Sequence, residues 1–192
     1  LLAKIIMLTI MASFYICYFG KMIEQRKQGI STDQLGKGKE GAPLFIEVTL
    51  KLMTSLLPTL QVFSICFYNG NPHMVLQSLG IIIAGLGVLV FNLSVLQMKD
   101  NWRAGVQEDA QTVLVIDGIY SISRNPAFLG FNLMYLGILL SFFNCYLCLA
   151  TFIVFILFHL QIVYVEEPFL REAFGQDFLN YQKTVMRYLG RR

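Results

Sequence analysis

Asn125-Pro-Ala-Phe-Leu-Gly130 opens, and Ile162-Val-Tyr-Val165 closes, a run of 41 residues that carries no formal charge between Arg124 and Glu166. At about 1.5 Å per residue such a run makes about 60 Å of helix, twice the roughly 30 Å core of a bilayer. The stretch therefore predicts two crossings, joined by a turn near Asn144 and Cys145. Both ends of a hairpin emerge on one side, which brings Asp117-Gly-Ile-Tyr-Ser-Ile-Ser-Arg-Asn-Pro126 close to Glu166-Glu167-Pro168. A soluble ligand reaches that place from water and an amphiphile reaches it from lipid. An arginine at the entrance and a glutamate at the exit become neighbours there.

The rest of the composition agrees. With 192 residues, 56% hydrophobic and 14% charged, the chain falls outside the range of soluble domains and inside that of small polytopic membrane proteins. A single membrane domain is expected: residues 1–98 hold three spans and a basic loop, and residues 99–192 hold a second loop, the hairpin and a C-terminal helix. No basic patch interleaved with aromatic residues points to nucleic acid. Cys145-Tyr-Leu-Cys148 has the CxxC spacing but no second pair and no histidine at ligand distance, so the cysteines read as packing residues and no metal is expected. Leu1 to Phe19 imitates a signal peptide. Its positive charges mostly follow the apolar run, however, and no small-x-small site is present, so it reads as a first membrane helix.

Span one covers roughly Lys4 to Gly20, span two Leu44 to Tyr68 and span three His73 to Met98, with a glycine-rich, solvated loop between the first two and a short turn, Asn69-Gly-Asn-Pro72, between the next. Glu47 and Lys51 lie four apart at the entry of span two, where they can pair or snorkel. Gly80, Gly85 and Gly87 in span three point to close helix packing. Lys and Arg number five in the first loop, none in the second, three in the third, none at the hairpin tip and five after Glu166. That alternation predicts five spans with the N-terminus outside, the C-terminus in the cytosol and both ends of the hairpin facing the cytosol.

After Pro168 the pattern changes. Leu170, Phe174, Phe178, Tyr181, Val185 and Tyr188 or Leu189 recur at spacings of three and four, predicting an amphipathic helix that lies along the membrane surface and lids the hairpin mouth.

Candidate site residues collect at that mouth. Pro126 suits the first position of a helix and Asn125 suits its cap, so the helix start offers amides and a positive dipole beside Arg124. Arg124 reads either as part of an anion site or as a contact to lipid phosphates. Glu166 and Glu167 stand where a helix end repels negative charge, so they are interfacial markers or functional groups. His159, seven residues before Glu166 and on the same face of a regular helix, is either a catalytic group or a hydrogen-bonded histidine within the helix. Trp102 and Arg103 read as interfacial anchor and lipid-phosphate contact. No GxGxxG after a strand, Walker motif or HExxH occurs.

Together, Gly118-Ile-Tyr120, Ser123-Arg-Asn-Pro-Ala-Phe-Leu-Gly130, Glu166-Glu167, Leu170, Phe174-Gly175, Phe178 and Tyr181 resemble the C-terminal signature of the isoprenylcysteine carboxyl methyltransferase and phospholipid methyltransferase superfamily, over roughly Trp102 to Arg187. The resemblance implies an all-α integral membrane methyltransferase that binds S-adenosylmethionine without a Rossmann domain and methylates a lipidic or amphiphilic acceptor. Carried over by motif, the cofactor is contacted by Gln107, by Thr112, Val113, Leu114 and Val115, by Tyr120, by Asn125, Pro126, Ala127 and Phe128, and by Glu166. Arg124, Arg103, Glu167 and His159 are the candidate catalytic residues. The family commonly has histidine where this chain has Asn125 and tyrosine where it has Phe128. Prenylcysteine enzymes place an arginine where this chain has Ile162, which points to a different small amphiphile or to Arg103 or Arg124 as the cation that meets it. Two rivals remain: an NADPH-dependent membrane reductase of the sterol type, and a non-catalytic lipid-binding protein.

Overall fold

A computed structural model of the chain describes residues 1–68, 70, 73–105 and 113–192. Among them the regular structure is helical, apart from two isolated bridges, Asp33 with Ala104 and Val185 with Arg191. The helices are α1 (Leu2–Lys27), α2 (Gly41–Phe67), α3 (Met74–Met98), α4 (Pro126–Ser141), α5 (Cys145–Gln161) and α6 (Glu167–Thr184). Short 3-10 turns occupy Lys99–Asn101 and Gly118–Ser121, and a π-turn, Ile162–Glu166, joins α5 to α6. Among the described residues four helical stretches are long and apolar enough to cross a membrane: Leu2–Lys27, Gly41–Phe67, Met74–Asn101 and Cys145–Thr184. The chain is an all-helical, multi-pass integral membrane protein.

The expected hairpin is present, with a difference. Its turn falls where predicted, and the Asn144 side chain caps α5 by accepting from the amides of Tyr146 (2.8 Å) and Leu147 (3.4 Å). Its first arm, α4, has only 16 residues, about 24 Å of helix. The cause lies in how α4 packs antiparallel on α3. Gly87 faces Gly130 and Gly80 faces Gly137 so closely that a Cβ on Gly87 would stand 2.5 Å from the Met134 amide nitrogen. Gly85, grouped with them in the sequence, has open space beside it. This register sets the start of α4 level with Phe91, about two turns short of the end of α3. The missing turns are replaced by the segment before Pro126, which runs along α3 with Tyr120 against Ser94 and Gly118 against Gln97. The mouth of the hairpin is thereby recessed into the bundle.

The first loop also departs from expectation. It is tied down rather than loosely solvated: the Gln34 amide donates to the Ala104 carbonyl (2.8 Å), the Ala104 amide to the Thr32 carbonyl (3.0 Å), and Thr32 Oγ1 to Gln25 Oε1 (2.6 Å). Glu47 and Lys51 do not pair with each other. Glu47, fully buried, accepts from Lys39 Nζ (2.5 Å), the Gly36 amide (2.6 Å) and Gln161 Nε2 (2.8 Å), while Lys51 meets Asp33 (2.5 Å). A buried carboxylate needs a cation and hydrogen-bond donors, and the loop folds back to supply them.

The C-terminal amphipathic helix continues α5 through the π-turn instead of starting afresh at the surface. It breaks at Gly175, whose φ of 49° is a left-handed conformation that suits glycine. Phe178, Tyr181 and Val185 are buried against Leu114, Leu170 and Phe174, but the helix expected to run on through Val185 ends at Thr184, with Val185 in extended backbone. Leu189 stays exposed.

Candidate active site

A cavity of about 630 Å³ opens where α1, α2, α4 and α6 meet the two loops. Most of its lining is apolar or aromatic, including Tyr15, Leu50, Phe131, Phe158, Phe169 and Phe174. The polar groups that line it include Arg103, Arg124, Asn125, Gln161 and Glu166. A largely apolar concavity of this size with a few convergent polar groups is the usual form of a small-molecule site.

Most of the residues singled out from the sequence line this one cavity: Arg103, Val113, Leu114, Val115, Tyr120, Arg124, Asn125, Pro126, Ala127, Phe128 and Glu166. Gln107 and Thr112 lie outside the described residues. Glu167 and His159 are elsewhere. His159 is exposed, and its Nδ1 lies 2.8 Å from the Tyr188 hydroxyl. The π-turn explains why it parts from Glu166: an extra residue in a helical turn rotates everything after it by about 100°, so a seven-residue spacing no longer returns to one face.

The arginine at the entrance of the hairpin pairs with the second glutamate at the exit, not the first. Arg124 Nη2 lies 3.1 Å from Glu167 Oε1, both side chains being more than nine-tenths buried, and the guanidinium stands 5.9 Å from the centre of the Phe178 ring. Its Nε and Nη1 are buried with no hydrogen-bond partner among the described residues. Burial pulls the Arg124 guanidinium below the usual arginine range, and neighbouring Glu167 pushes it back up.

Asn125 was expected to cap α4, and its side chain makes no capping bond. Its Nδ2 instead donates to the Arg187 carbonyl (3.0 Å), one of a set of bonds that strap the C-terminus across the segment before α4. The others run from the Arg124 amide to the Met186 carbonyl (3.1 Å), from the Gly190 amide to the Ile122 carbonyl (2.7 Å) and from Arg191 Nε to the Ser121 carbonyl (2.9 Å). The Tyr181 hydroxyl adds a 2.5 Å bond to the Tyr120 carbonyl. With Asn125 occupied and Pro126 lacking an N–H, the first amides of α4 have no side-chain cap beside the cavity.

Sequence reasoning missed Gln161 and Arg187. Gln161 is fully buried; its Nε2 serves Glu47, it interacts with Glu166, and its Oε1 has no hydrogen-bond partner among the described residues. A glutamine inside an apolar run was a usable signal. For Arg187 the local sequence held none, because its partner Glu167 is reached only by the fold. Among the described residues no group of three or more His, Cys, Asp or Glu side chains is placed to hold a metal ion.

The described residues form a helical membrane bundle whose cavity is lined mostly by apolar side chains with a few charged ones, and comparison places the chain in a family. Residues 75–177, more than half of the chain, match the family model of phospholipid methyltransferase. The chain belongs to the phospholipid methyltransferase family. It is 27% identical over 113 residues to the protein-S-isoprenylcysteine O-methyltransferase of Tribolium castaneum, an alignment that takes in 57% of this chain and 40% of that protein. Its fold is similar to the solved structure of the eukaryotic intramembrane Ras methyltransferase, isoprenylcysteine carboxyl methyltransferase, with a TM-score of 0.64 at 20% identity, covering 94% of this chain and 63% of that one.

Proposed function

We propose that the chain is an S-adenosylmethionine-dependent membrane methyltransferase acting on a lipidic or amphiphilic acceptor. One observation carries the reading: a buried guanidinium with two unpartnered nitrogens, Arg124, shares a cavity with the carboxylate of Glu166 and with an apolar well. A cation and an anion lining one cavity match the zwitterionic amino-acid end of such a donor, and the well matches a hydrocarbon chain. When bound, S-adenosylmethionine supplies an activated methyl group on a sulfonium.

The chain's own residues hold and shield. Arg124 and the uncapped amides of α4 stabilise negative charge, and Glu166 accepts hydrogen bonds from a cation. Leu35, Phe169, Leu170 and Phe174 line the cavity with apolar surface, which would limit competing water while donor and acceptor are held together. A carboxylate acceptor needs no base. Ile162 carries no charge, and of the cations that line the cavity Lys51 is paired with Asp33, so Arg103 and Arg124 are the candidates to meet an acidic acceptor. The distribution of Lys and Arg supports an orientation with this end in the cytosol and the N-terminus outside.

Isothermal titration of the purified protein with S-adenosylhomocysteine tests the reading, followed by transfer of a labelled methyl group from S-adenosylmethionine to a membrane lipid extract. Binding with transfer supports it. Binding of NADPH in place of S-adenosylhomocysteine, or of neither, removes it.

A further inference from the structure

Glu167 lies one residue from the cavity wall and holds two arginines at once. Arg187, from the C-terminal strap, grips it with two prongs, Nε to Oε1 at 2.8 Å and Nη2 to Oε2 at 2.9 Å, while Arg124 reaches Oε1 at 3.1 Å by Nη2 alone. We infer that Glu167 and Arg187 are positioning residues for Arg124, and that the C-terminal strap thereby sets the anion-binding face of the cavity. This rests on the function proposed above.

The argument is one of competition for a carboxylate. With the fork of Arg187 taking one lone pair on each oxygen, Arg124 meets Oε1 through one nitrogen only, and its other two nitrogens have no partner among the described residues. The three side chains together carry one net positive charge beside the cavity. Without Arg187 the carboxylate is free to take Arg124 in a two-pronged pair, and the guanidinium turns away from the cavity. A carboxylate clamped between two guanidiniums is also a poor proton acceptor, which separates Glu167 from a catalytic role. Arg187 can act in this way because the strap is stitched to the 121–125 segment through the backbone of Met186 and Gly190 and the carbonyl of Arg187 itself.

The ligand group this face selects is an anionic carboxylate, supplied either by the amino-acid end of the methyl donor or by an acidic acceptor. Titrations of the full chain in detergent with S-adenosylhomocysteine, with 5′-methylthioadenosine, which lacks that carboxylate, and with N-acetyl-S-farnesylcysteine distinguish the sources. Arg187→Ala and Glu167→Gln are expected to weaken a carboxylate-bearing probe by about tenfold and to leave 5′-methylthioadenosine unchanged. Loss confined to S-adenosylhomocysteine assigns the face to the donor, and loss confined to the farnesylcysteine assigns it to the acceptor; either supports the inference.

The double exchange Glu167→Arg with Arg187→Glu separates positioning from mere structure. It restores the strap's ion pair, and so the thermal midpoint, but leaves a cation at position 167 facing Arg124, so affinity stays low. Should Arg187→Ala not fold, Arg187→Lys keeps the charge, loses the second prong and is expected to lose affinity in the same direction by a smaller factor. Wild-type affinity for both carboxylate probes in the single variants, or recovery of affinity together with the thermal midpoint in the double exchange, overturns the inference. A wild type that binds none of the three probes sinks the proposed function and this inference with it, whereas a binding wild type with unaltered variants sinks this one alone.

Discussion

Gly87 of α3 and Gly130 of α4 meet backbone to backbone: a Cβ on Gly87 would stand 2.7 Å from the Gly130 carbonyl oxygen, and one on Gly130 would stand 2.8 Å from the Gly87 carbonyl oxygen. Neither neighbour is the end of a flexible side chain that could move aside. Lipid gives helices little hydrophobic reason to associate, so close approach of this kind supplies much of what holds the pair together.

Gly87→Val is accordingly expected to destabilise the protein by about 2–3 kcal/mol, and Gly85→Ala, facing open space, by well under about 1 kcal/mol. Thermal unfolding in detergent compares the two. Because the same seam fixes how deep α4 starts, Gly87→Val should also weaken ligand binding by displacing Arg124 and Asn125.

Removing Glu47 should cost far more than removing the more exposed charge one turn along. Glu47→Leu leaves Lys39, itself 7% exposed, and the Gln161 amide without their acceptor, a loss of about 3–5 kcal/mol. Lys51→Ala breaks a pair whose members are 49% and 34% exposed, where the loss is about 0–1 kcal/mol. Denaturation midpoints of the two variants decide the contrast.

The break in α6 depends on one residue. Gly175→Ala is expected to destabilise by about 1–2 kcal/mol through its left-handed conformation alone, since a Cβ there meets nothing within 4 Å. A thermal midpoint equal to that of wild type would show that α6 straightens without loss and that the kink is not needed.

At the cavity, Glu166→Gln and Arg124→Ala are each expected to reduce S-adenosylhomocysteine affinity by about ten- to a hundredfold, the usual loss of a charge-assisted hydrogen bond. His159→Ala, whose partner is Tyr188 outside the cavity, should leave that affinity within about twofold. Titration calorimetry on the three variants gives the ranking.

Much of this molecule was legible in the chain because lipid imposes strict local rules. A long run of uncharged residues crosses as helix, so the hairpin and its turn near Asn144 followed from length and charge, and the Pro126 start from proline's fitness for the first helical position. The spacing of Phe178 and Tyr181 gave the packed face of the second half of α6 for the same reason, since a helix returns to one side every three to four residues, whereas Phe174 precedes the break at Gly175 and Val185 follows the end of the helix. His159 escaped that rule, because a single π-turn changes the phase and no local propensity announces one. Glu47 and Lys51 escaped it as well. Their spacing permits a pair, and the choice of Lys39 and Asp33 instead belongs to a loop that only the folded bundle brings back.

By itself, then, the sequence determined which segments enter the membrane, where they reverse and which residues gather at one end, because a backbone in hydrocarbon has to satisfy its own hydrogen bonds and long uncharged runs do so within a helix. Tertiary structure decided which of two adjacent glutamates faces the cavity and which one binds Arg124. That choice depends on helix phase through the π-turn and on Arg187 arriving from twenty residues away, and both are fixed only when separate elements close on one another.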